Sequence, residues 1–226
     1  MEARIMSTLF PHGLAGVIFD CDGVMIDSRE SNNIFYNRVL EYFNLAPMTP
    51  EQEEYCFMAT AMQSLLYIVP PHLHDQIEHV TRDVVNYRRD ILPMLRLQPG
   101  FTDFIDDLRD RRVRMAVHTN RRFEGIQTVL DIFGLPTYFN PVVAADTAAP
   151  KPSPEGTRRI CSAWGVQPET VLFVGDSEHD KEAARGAGVV FAAFNGGLLR
   201  GQITVADYAG LHAALNPILP PQNATT

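Results

Sequence analysis

Short apolar runs that end in polar turns recur through much of the chain. The first covers residues 16–20 and is followed by Asp22 and Gly23; further runs cover 114–119, 142–144, 171–175 and 189–194. Segments with apolar residues at helical spacing separate most of them. Strands that alternate with helices predict parallel βαβ units, and hence an α/β fold with a mainly parallel sheet in a three-layer sandwich.

Residues 28–97 show a helical pattern only. Apolar side chains recur at helical spacing from Ile34 to Phe43, and Thr49-Pro50-Glu51-Gln52 predicts a capped helix start. A third helix is predicted from Ile77 to Ile91, ending before Pro93. We therefore expect residues 1–27 and 98–216 to form the α/β core and residues 28–97 to form an inserted helical domain above the carboxyl ends of the strands. Residues 217–226, rich in proline and polar residues, are expected to be a mobile tail.

Composition excludes several classes of partner. The chain has 226 residues and a net charge of −8, so it lacks the basic surface of a nucleic-acid-binding protein. No signal-peptide pattern or long apolar segment predicts export or a membrane span. The three widely spaced cysteines suit a reducing compartment, so we expect a cytoplasmic protein without a zinc site.

Carboxylates follow two of the predicted strands. Asp20 ends the first run and Asp22 lies two residues further on, whereas Asp176 and Asp180 follow the run at 171–175. Close carboxylates repel unless a divalent cation binds them or one pKa is raised, and Mg²⁺ prefers such oxygen ligands. Taken alone, Asp20 and Asp22 are equally compatible with a solvated acidic turn. Taken alone, Asp176 and Asp180 are equally compatible with an acidic helix start.

Two further sites fall at strand ends or in the loops that follow. Thr119 and Asn120 can donate hydrogen bonds to phosphate oxygens, although Thr-Asn is also common in ordinary turns. Lys151 has a proline on each side, which restricts the backbone from which its side chain extends. A lysine held near aspartates can bind a phosphoryl group, whereas a lysine considered alone is more often solvated.

The order of these motifs resembles that of one family. It is similar to the haloacid dehalogenase superfamily, with a Rossmann-like core, over about residues 16–215. The motifs that carry the resemblance are Phe19-Asp20-Cys21-Asp22-Gly23-Val24, Thr119-Asn120, Lys151-Pro152, and Gly175-Asp176-Ser177 with Asp180. The inserted segment is similar to the small helical cap of that family. The third of these motifs, at Lys151-Pro152, lacks the glycine that the family often has just before the lysine, which leaves the path of that loop open.

The resemblance implies roles for these residues. Asp20 would be the nucleophile that forms an aspartyl-phosphate, and Asp22 the acid/base. Mg²⁺ would be bound by Asp20, the backbone carbonyl of Asp22, and Asp176. The phosphate would be bound by Thr119, Asn120, Lys151 and the backbone N–H near Gly23. Asp180 would orient Lys151 or metal-bound water.

An aspartate at position 22 also implies a reaction type. Dehalogenases and phosphonate-cleaving members lack it, so hydrolysis of a small phosphorylated metabolite is expected. A phosphosugar mutase similar to β-phosphoglucomutase, or a binding protein with a silent site, are the alternatives. Neither the substrate nor the oligomeric state follows from the sequence.

Three further residues lie beside the Thr119-Asn120 motif, namely His118, Arg121 and Arg122. His118 should face away from Thr119 by strand alternation and pack in the core. Arg121 and Arg122 are interpreted as solvated charges at a helix start, with binding of an anionic part of the substrate as the alternative.

Overall fold

The computed structural model describes residues 2–195 and 197–222, with side chains from Met6 onward. The strands are β1 (Gly16–Phe19), β2 (Ile26–Asp27), β3 (Arg96–Leu97), β4 (Arg114–His118), β5 (Val142–Val143), β6 (Val171–Gly175), β7 (Val190–Ala193) and β8 (Ile203–Thr204). The α-helices are α1 (Glu2–Leu9), α2 (Arg29–Tyr42), α3 (Pro50–Met58), α4 (Ala61–Ile68), α5 (Ile77–His79), α6 (Tyr87–Asp90), α7 (Phe101–Asp110), α8 (Phe123–Ile132), α9 (Glu155–Trp164), α10 (Glu178–Ala187) and α11 (Tyr208–Leu215).

A six-stranded sheet organises the larger part of the protein. Its order is β5-β4-β1-β6-β7-β8, and every neighbouring pair is parallel. The central strand β1 places Ile18 between Ala116 of β4 and Phe173 of β6. The predicted α/β fold with a mainly parallel sheet is therefore confirmed. β2 and β3 form a separate two-stranded sheet.

The two faces of β1 show why the sheet lies between helical layers. Successive side chains of a strand point to opposite faces. Phe19 contacts Phe101 and Phe104 of α7 edge to face, with ring centroids 5.8 and 6.2 Å away. Its neighbour Ile18 belongs instead to a buried cluster that includes Ile160 of α9 and residues of α10. Apolar residues on both faces are what a strand covered on both sides requires.

The chain divides into two compact units. One holds the described residues of Met1–Met25 and Leu97–Thr226, and the other holds Ile26–Arg96. The second unit has its own apolar core, in which Val39, Val80 and Ile91 are fully buried. Its helices α3 and α4 begin with capping boxes, and the one at Thr49 and Gln52 confirms the predicted helix start.

The predicted continuous helix from Ile77 to Ile91 is wrong. α5 runs into a π-helical turn at Val80–Val84, and the chain leaves helical geometry at Val85 before α6 begins. Asn86 causes the restart, because its side chain accepts a hydrogen bond from the backbone N–H of Arg89 and caps α6. Helical spacing of apolar residues persists across the break, so the pattern alone did not reveal it. Short 3₁₀ turns cover Pro71–Gln76, Leu92–Met94 and Pro168–Thr170.

The described part of the predicted tail contacts the rest of its unit. Leu219 is buried, Arg111 donates to the carbonyl oxygen of Pro220, and Gln222 donates to Asp107. Residues 223–226 lie outside the described residues, and mobility of the segment 217–226 stays a prediction. Among the residues that the structure describes, no helix has the length and apolar character needed to cross a membrane.

Candidate active site

The central strands β1 and β6 bring two aspartates to one edge of the sheet. The N–H of Asp20 donates to the carbonyl oxygen of Val174 at 3.0 Å, which extends the pairing of the two strands by one residue. Asp176 follows directly after β6. The carboxyl ends of neighbouring parallel strands therefore place both residues at the edge where ligands bind in open α/β sheets.

Lys151 joins two of the predicted carboxylates. Its Nζ lies 2.6 Å from Oδ1 of Asp20 and 2.5 Å from Oδ1 of Asp180. The lysine is buried, so the interpretation as a solvated surface residue does not apply. A buried cation between two carboxylates is stable only while all three groups remain paired.

The loop that carries Lys151 is attached to the end of β4. Oδ1 of Asn120 accepts the N–H of Lys151 at 2.8 Å, and Nδ2 of Asn120 donates to the carbonyl oxygen of Lys151 at 3.1 Å. Asn120 thus holds the backbone of the lysine through both polar groups of its amide. Its predicted role as a phosphate donor stays a prediction, and the geometry adds a role in positioning Lys151.

Asp180 is fixed by the start of α10. Ser177 is the N-cap of that helix, and Oδ2 of Asp180 accepts hydrogen bonds from the N–H groups of Asp176 and Ser177 and from Oγ of Ser177. Gly175 makes this approach possible, because a Cβ at that position would lie 2.4 Å from Cβ of Asp180. Asp180 is therefore held by the backbone with its other oxygen against Lys151, and its role in orienting Lys151 or metal-bound water stays a prediction.

Burial and charge shift the titration of this group. Burial, with the nearby Asp180 and Asp22 carboxylates, raises the pKa of Asp20 to about 7, although Lys151 opposes the rise. Burial lowers the pKa of Lys151, but the Asp180 and Asp20 carboxylates outweigh it and hold that pKa above its usual value. Lys151 therefore stays protonated at neutral pH, and the charge of Asp20 depends on any cation that binds beside it.

Asp22 forms an ion pair that the sequence analysis missed. Nε of Arg121 lies 2.7 Å from Oδ2 of Asp22, and Nη2 lies 2.6 Å from Oδ1. Only 12% of the arginine side chain is exposed, so the expectation that Arg121 is solvated is wrong, whereas Arg122 is 82% exposed. An available signal was the excess of aspartates at this edge, which favours a second cationic side chain besides Lys151.

The remaining predicted phosphate ligands lie on the same unit. Thr119 is buried one residue past β4, and its Oγ1 accepts the N–H of Arg121 at 3.1 Å. Gly23 has a φ of 74°, a left-handed conformation that glycine adopts readily, and its carbonyl oxygen accepts a hydrogen bond from Gln98. The binding of phosphate by these two residues stays a prediction.

The aspartates form a group that suits a metal ion. Carboxylate oxygens of Asp20, Asp176 and Asp180 all lie within 4.8 Å of one another. Asp180 already uses one oxygen for Lys151 and the other for the start of α10, so Asp20 and Asp176 are the better placed ligands. Hard oxygen donors at this spacing fit a small divalent cation.

His118 packs away from this group, as strand alternation predicts. Its Nδ1 lies 3.0 Å from Oγ1 of Thr157, and a Cβ on Gly156 would lie 2.3 Å from its Nε2. Burial, with a smaller contribution from Lys151, lowers the pKa of His118 to about 3. The ring is therefore a neutral core residue behind the site.

Comparisons with known proteins agree with this arrangement. The family described as haloacid dehalogenase-like hydrolase matches residues 17–194. A phosphoglycolate phosphatase from Cereibacter sphaeroides is 29% identical over 204 residues, covering 88% of this chain and 93% of that protein. A crystal structure of a HAD-superfamily hydrolase, subfamily IA, from Geobacter sulfurreducens is 31% identical, with a TM-score of 0.72 over 90% of this chain and 98% of that one.

A further structural neighbour supports the fold alone. The crystal structure of a predicted phosphoglycolate phosphatase from Haemophilus somnus has a TM-score of 0.77 at 21% identity, over 88% of this chain and 97% of that one.

The parallel sheet with acidic motifs at its strand ends defines a haloacid dehalogenase-like hydrolase, and the chain belongs to that family. Within it, the prediction of a phosphatase is confirmed at the level of enzyme class.

Proposed function

We propose that the protein hydrolyses a small phosphate monoester through an aspartyl-phosphate on Asp20. The observation that carries the proposal is the buried contact of Asp20 with Lys151 at a strand end, with Asp22 two residues further along the chain. A carboxylate nucleophile, a cation beside it and a second carboxylate are the groups that such a reaction requires.

Each side chain has a defined task in the proposed reaction. A carboxylate oxygen of Asp20 forms a bond to phosphorus while the bond from phosphorus to the ester oxygen breaks. Asp22 gives its proton to the departing ester oxygen and then takes a proton from the water that hydrolyses the aspartyl-phosphate. Lys151 and Thr119 bind the phosphoryl oxygens, and Asp180 keeps the Lys151 ammonium at 2.5 Å from its own carboxylate.

Mg²⁺ is the proposed cofactor, bound by Asp20, Asp176 and the backbone carbonyl of Asp22. When bound, it would offset the repulsion between the Asp20 carboxylate and the phosphate. The acidic group described above is what supports this assignment.

The proposed substrate is a small phosphorylated metabolite, because several curated relatives are named phosphoglycolate phosphatase. We further propose that residues 28–97 act as the helical cap of this enzyme. The three free, buried cysteines support the proposed cytoplasmic location.

Phosphate release from p-nitrophenyl phosphate tests the nucleophile. Asp20→Asn should lower kcat by about 10⁴-fold or more, as loss of a nucleophile does in other enzymes. Asp103→Asn, the same change at an exposed position on α7, is the matched control and should keep full activity. Full activity in Asp20→Asn would refute the assignment.

Metal dependence tests the proposed cofactor, and product identity distinguishes a phosphatase from a mutase. Activity should be lost in EDTA and restored by Mg²⁺, whereas turnover that resists EDTA would remove Mg²⁺ from the proposal. Interconversion of sugar phosphates with little release of inorganic phosphate would favour the mutase alternative.

A further inference from the structure

The ion pair between Arg121 and Asp22 has no task in the hydrolysis proposed above. Both carboxylate oxygens of Asp22 face nitrogens of the guanidinium, at 2.7 and 2.6 Å. The two side chains are only 12% and 16% exposed. A shielded, two-pronged pair of this kind is stronger and more directional than a surface ion pair. Nε and Nη2 of Arg121 thus form a preformed fork, which is oriented to bind a planar carboxylate through both nitrogens.

The backbone of Arg121 is anchored by two hydrogen bonds, so a change of side-chain rotamer can redirect the guanidinium without moving the chain. Its N–H donates to Oγ1 of Thr119 at 3.1 Å, and its carbonyl oxygen accepts the N–H of Ala145 at 2.9 Å. Exchange of one carboxylate for another would therefore require only a change of rotamer.

The observed pair conflicts with the task proposed for Asp22. A carboxyl group that transfers a proton to the ester oxygen must face that oxygen, and here both of its oxygens face Arg121. Each Asp22 oxygen already accepts from Arg121, so release of one oxygen on substrate binding would make both of its lone pairs available for proton transfer. A shielded guanidinium that loses its partner is costly unless another anion replaces it.

The two cations of the site serve different sides of the reacting bond. Lys151 contacts Asp20, and so belongs to the side of the phosphoryl group. Arg121 contacts Asp22, which faces the departing alcohol in the proposed reaction. A carboxylate attached to the carbon that bears the ester oxygen would lie on the same side of the reacting bond as Arg121.

We infer that Arg121 determines specificity by exchanging the Asp22 carboxylate for a carboxylate on the alcohol part of the substrate. The inference rests on the proposed function and narrows its substrate class to phosphate esters of 2-hydroxy acids. It differs from a positioning role, in which Arg121 would only orient Asp22 and would serve all phosphate monoesters equally.

The test compares two substrates of equal length. In 2-phosphoglycolate the ester carbon carries a carboxylate, whereas in 2-hydroxyethyl phosphate a hydroxymethyl group replaces it. The readout is the ratio of the two kcat/KM values, which is independent of the fraction of a variant that folds. The wild-type ratio should favour 2-phosphoglycolate by about 10- to 100-fold, the range expected for hydrogen bonds to a charged group.

Three variants test whether Arg121 is responsible for the preference for 2-phosphoglycolate. Arg121→Gln should bring it close to unity, and Arg121→Lys should retain only part of it, because an ammonium lacks the planar fork. Arg122→Gln is the matched control at the adjacent exposed arginine and should keep the wild-type ratio.

The possible outcomes separate the inference from the proposed function. Equal losses on both substrates in Arg121→Gln, or a wild-type enzyme that does not distinguish them, would overturn the specificity role while leaving the phosphatase proposal intact. Failure of the wild-type protein to hydrolyse these esters and p-nitrophenyl phosphate would reject the proposed function itself.

Discussion

Replacement of His118 tests whether the buried neutral ring sets the acid sensitivity of the larger unit. The ring packs over Gly156 and contacts Oγ1 of Thr157 at 3.0 Å, where a glutamine amide could make the same hydrogen bond. We therefore consider His118→Gln, which removes the titration while keeping a polar partner for Thr157. His12→Gln, at an exposed histidine of the same unit, is the matched control.

The direction and size of the effect follow from the pKa of His118. This pKa falls from the usual 6.5 to about 3 on folding. Between these values the unfolded chain binds a proton that the folded chain excludes, so acidification favours unfolding. The stability contributed by the neutral ring is complete above the unfolded pKa and is lost as the pH falls toward the folded value. Between about pH 7 and about pH 5 this loss amounts to about 2 kcal/mol.

Urea unfolding at the two pH values measures the effect, with chelator present throughout. Trp164, the single tryptophan of the chain, lies in α9 and reports on the same unit by fluorescence. The decrease in unfolding free energy from about pH 7 to about pH 5 should be about 2 kcal/mol smaller in His118→Gln than in the wild type, and unchanged in His12→Gln. Groups common to all three proteins cancel in this comparison. An equal decrease in all three would refute the argument.

Further substitutions test other contacts. Gly175→Ala should lower the unfolding free energy by about 1–3 kcal/mol, because the added Cβ would lie 2.4 Å from Cβ of Asp180. Gly197→Ala is the control: a Cβ at that position would have no atom within 4 Å, so the variant should be as stable as the wild type. Lys151→Met should cost about 3–5 kcal/mol in urea unfolding, since it leaves buried carboxylates without their cation, and a variant as stable as the wild type would contradict the pairing. Leu219→Ala should cost about 2 kcal/mol in the same assay because it truncates a buried side chain, and an unchanged unfolding free energy would contradict the packing of the described part of the tail.

The strand ends could be predicted because each combines a short apolar run with a polar turn. Asp20 and Asp176 follow such runs, and parallel pairing brings them to one edge. Their functional interpretation required the order of the motifs along the chain, since each acidic turn considered alone had an ordinary structural explanation. Lys151 shows the same dependence, because its burial between carboxylates results from chain segments distant in sequence.

Side-chain direction was harder to predict than backbone position. Arg121 lies directly after motif two, but whether a long arginine extends into solvent or back across the sheet edge depends on what lies there. Asn120 is a similar case, since its amide contacts the backbone of Lys151, 31 residues further along the chain. In the segment from Ile77 to Ile91, apolar spacing survived a local break at Val85 and Asn86 that only hydrogen bonding reveals.

The contact between Gln98 and Met25 has a consequence for the evolution of the protein. The N–H of Gln98 donates to the carbonyl oxygen of Met25 at 2.9 Å. The chain leaves the larger unit after Met25 and returns to it at Leu97, so this hydrogen bond holds the two connections close together. With its ends held together, the segment between them behaves toward the core as one long loop, and the entropy of closing a loop grows only slowly with length. Lineages could therefore lengthen, shorten or replace residues 26–96 while inheriting unchanged the edge of the sheet that carries Asp20 and Asp176.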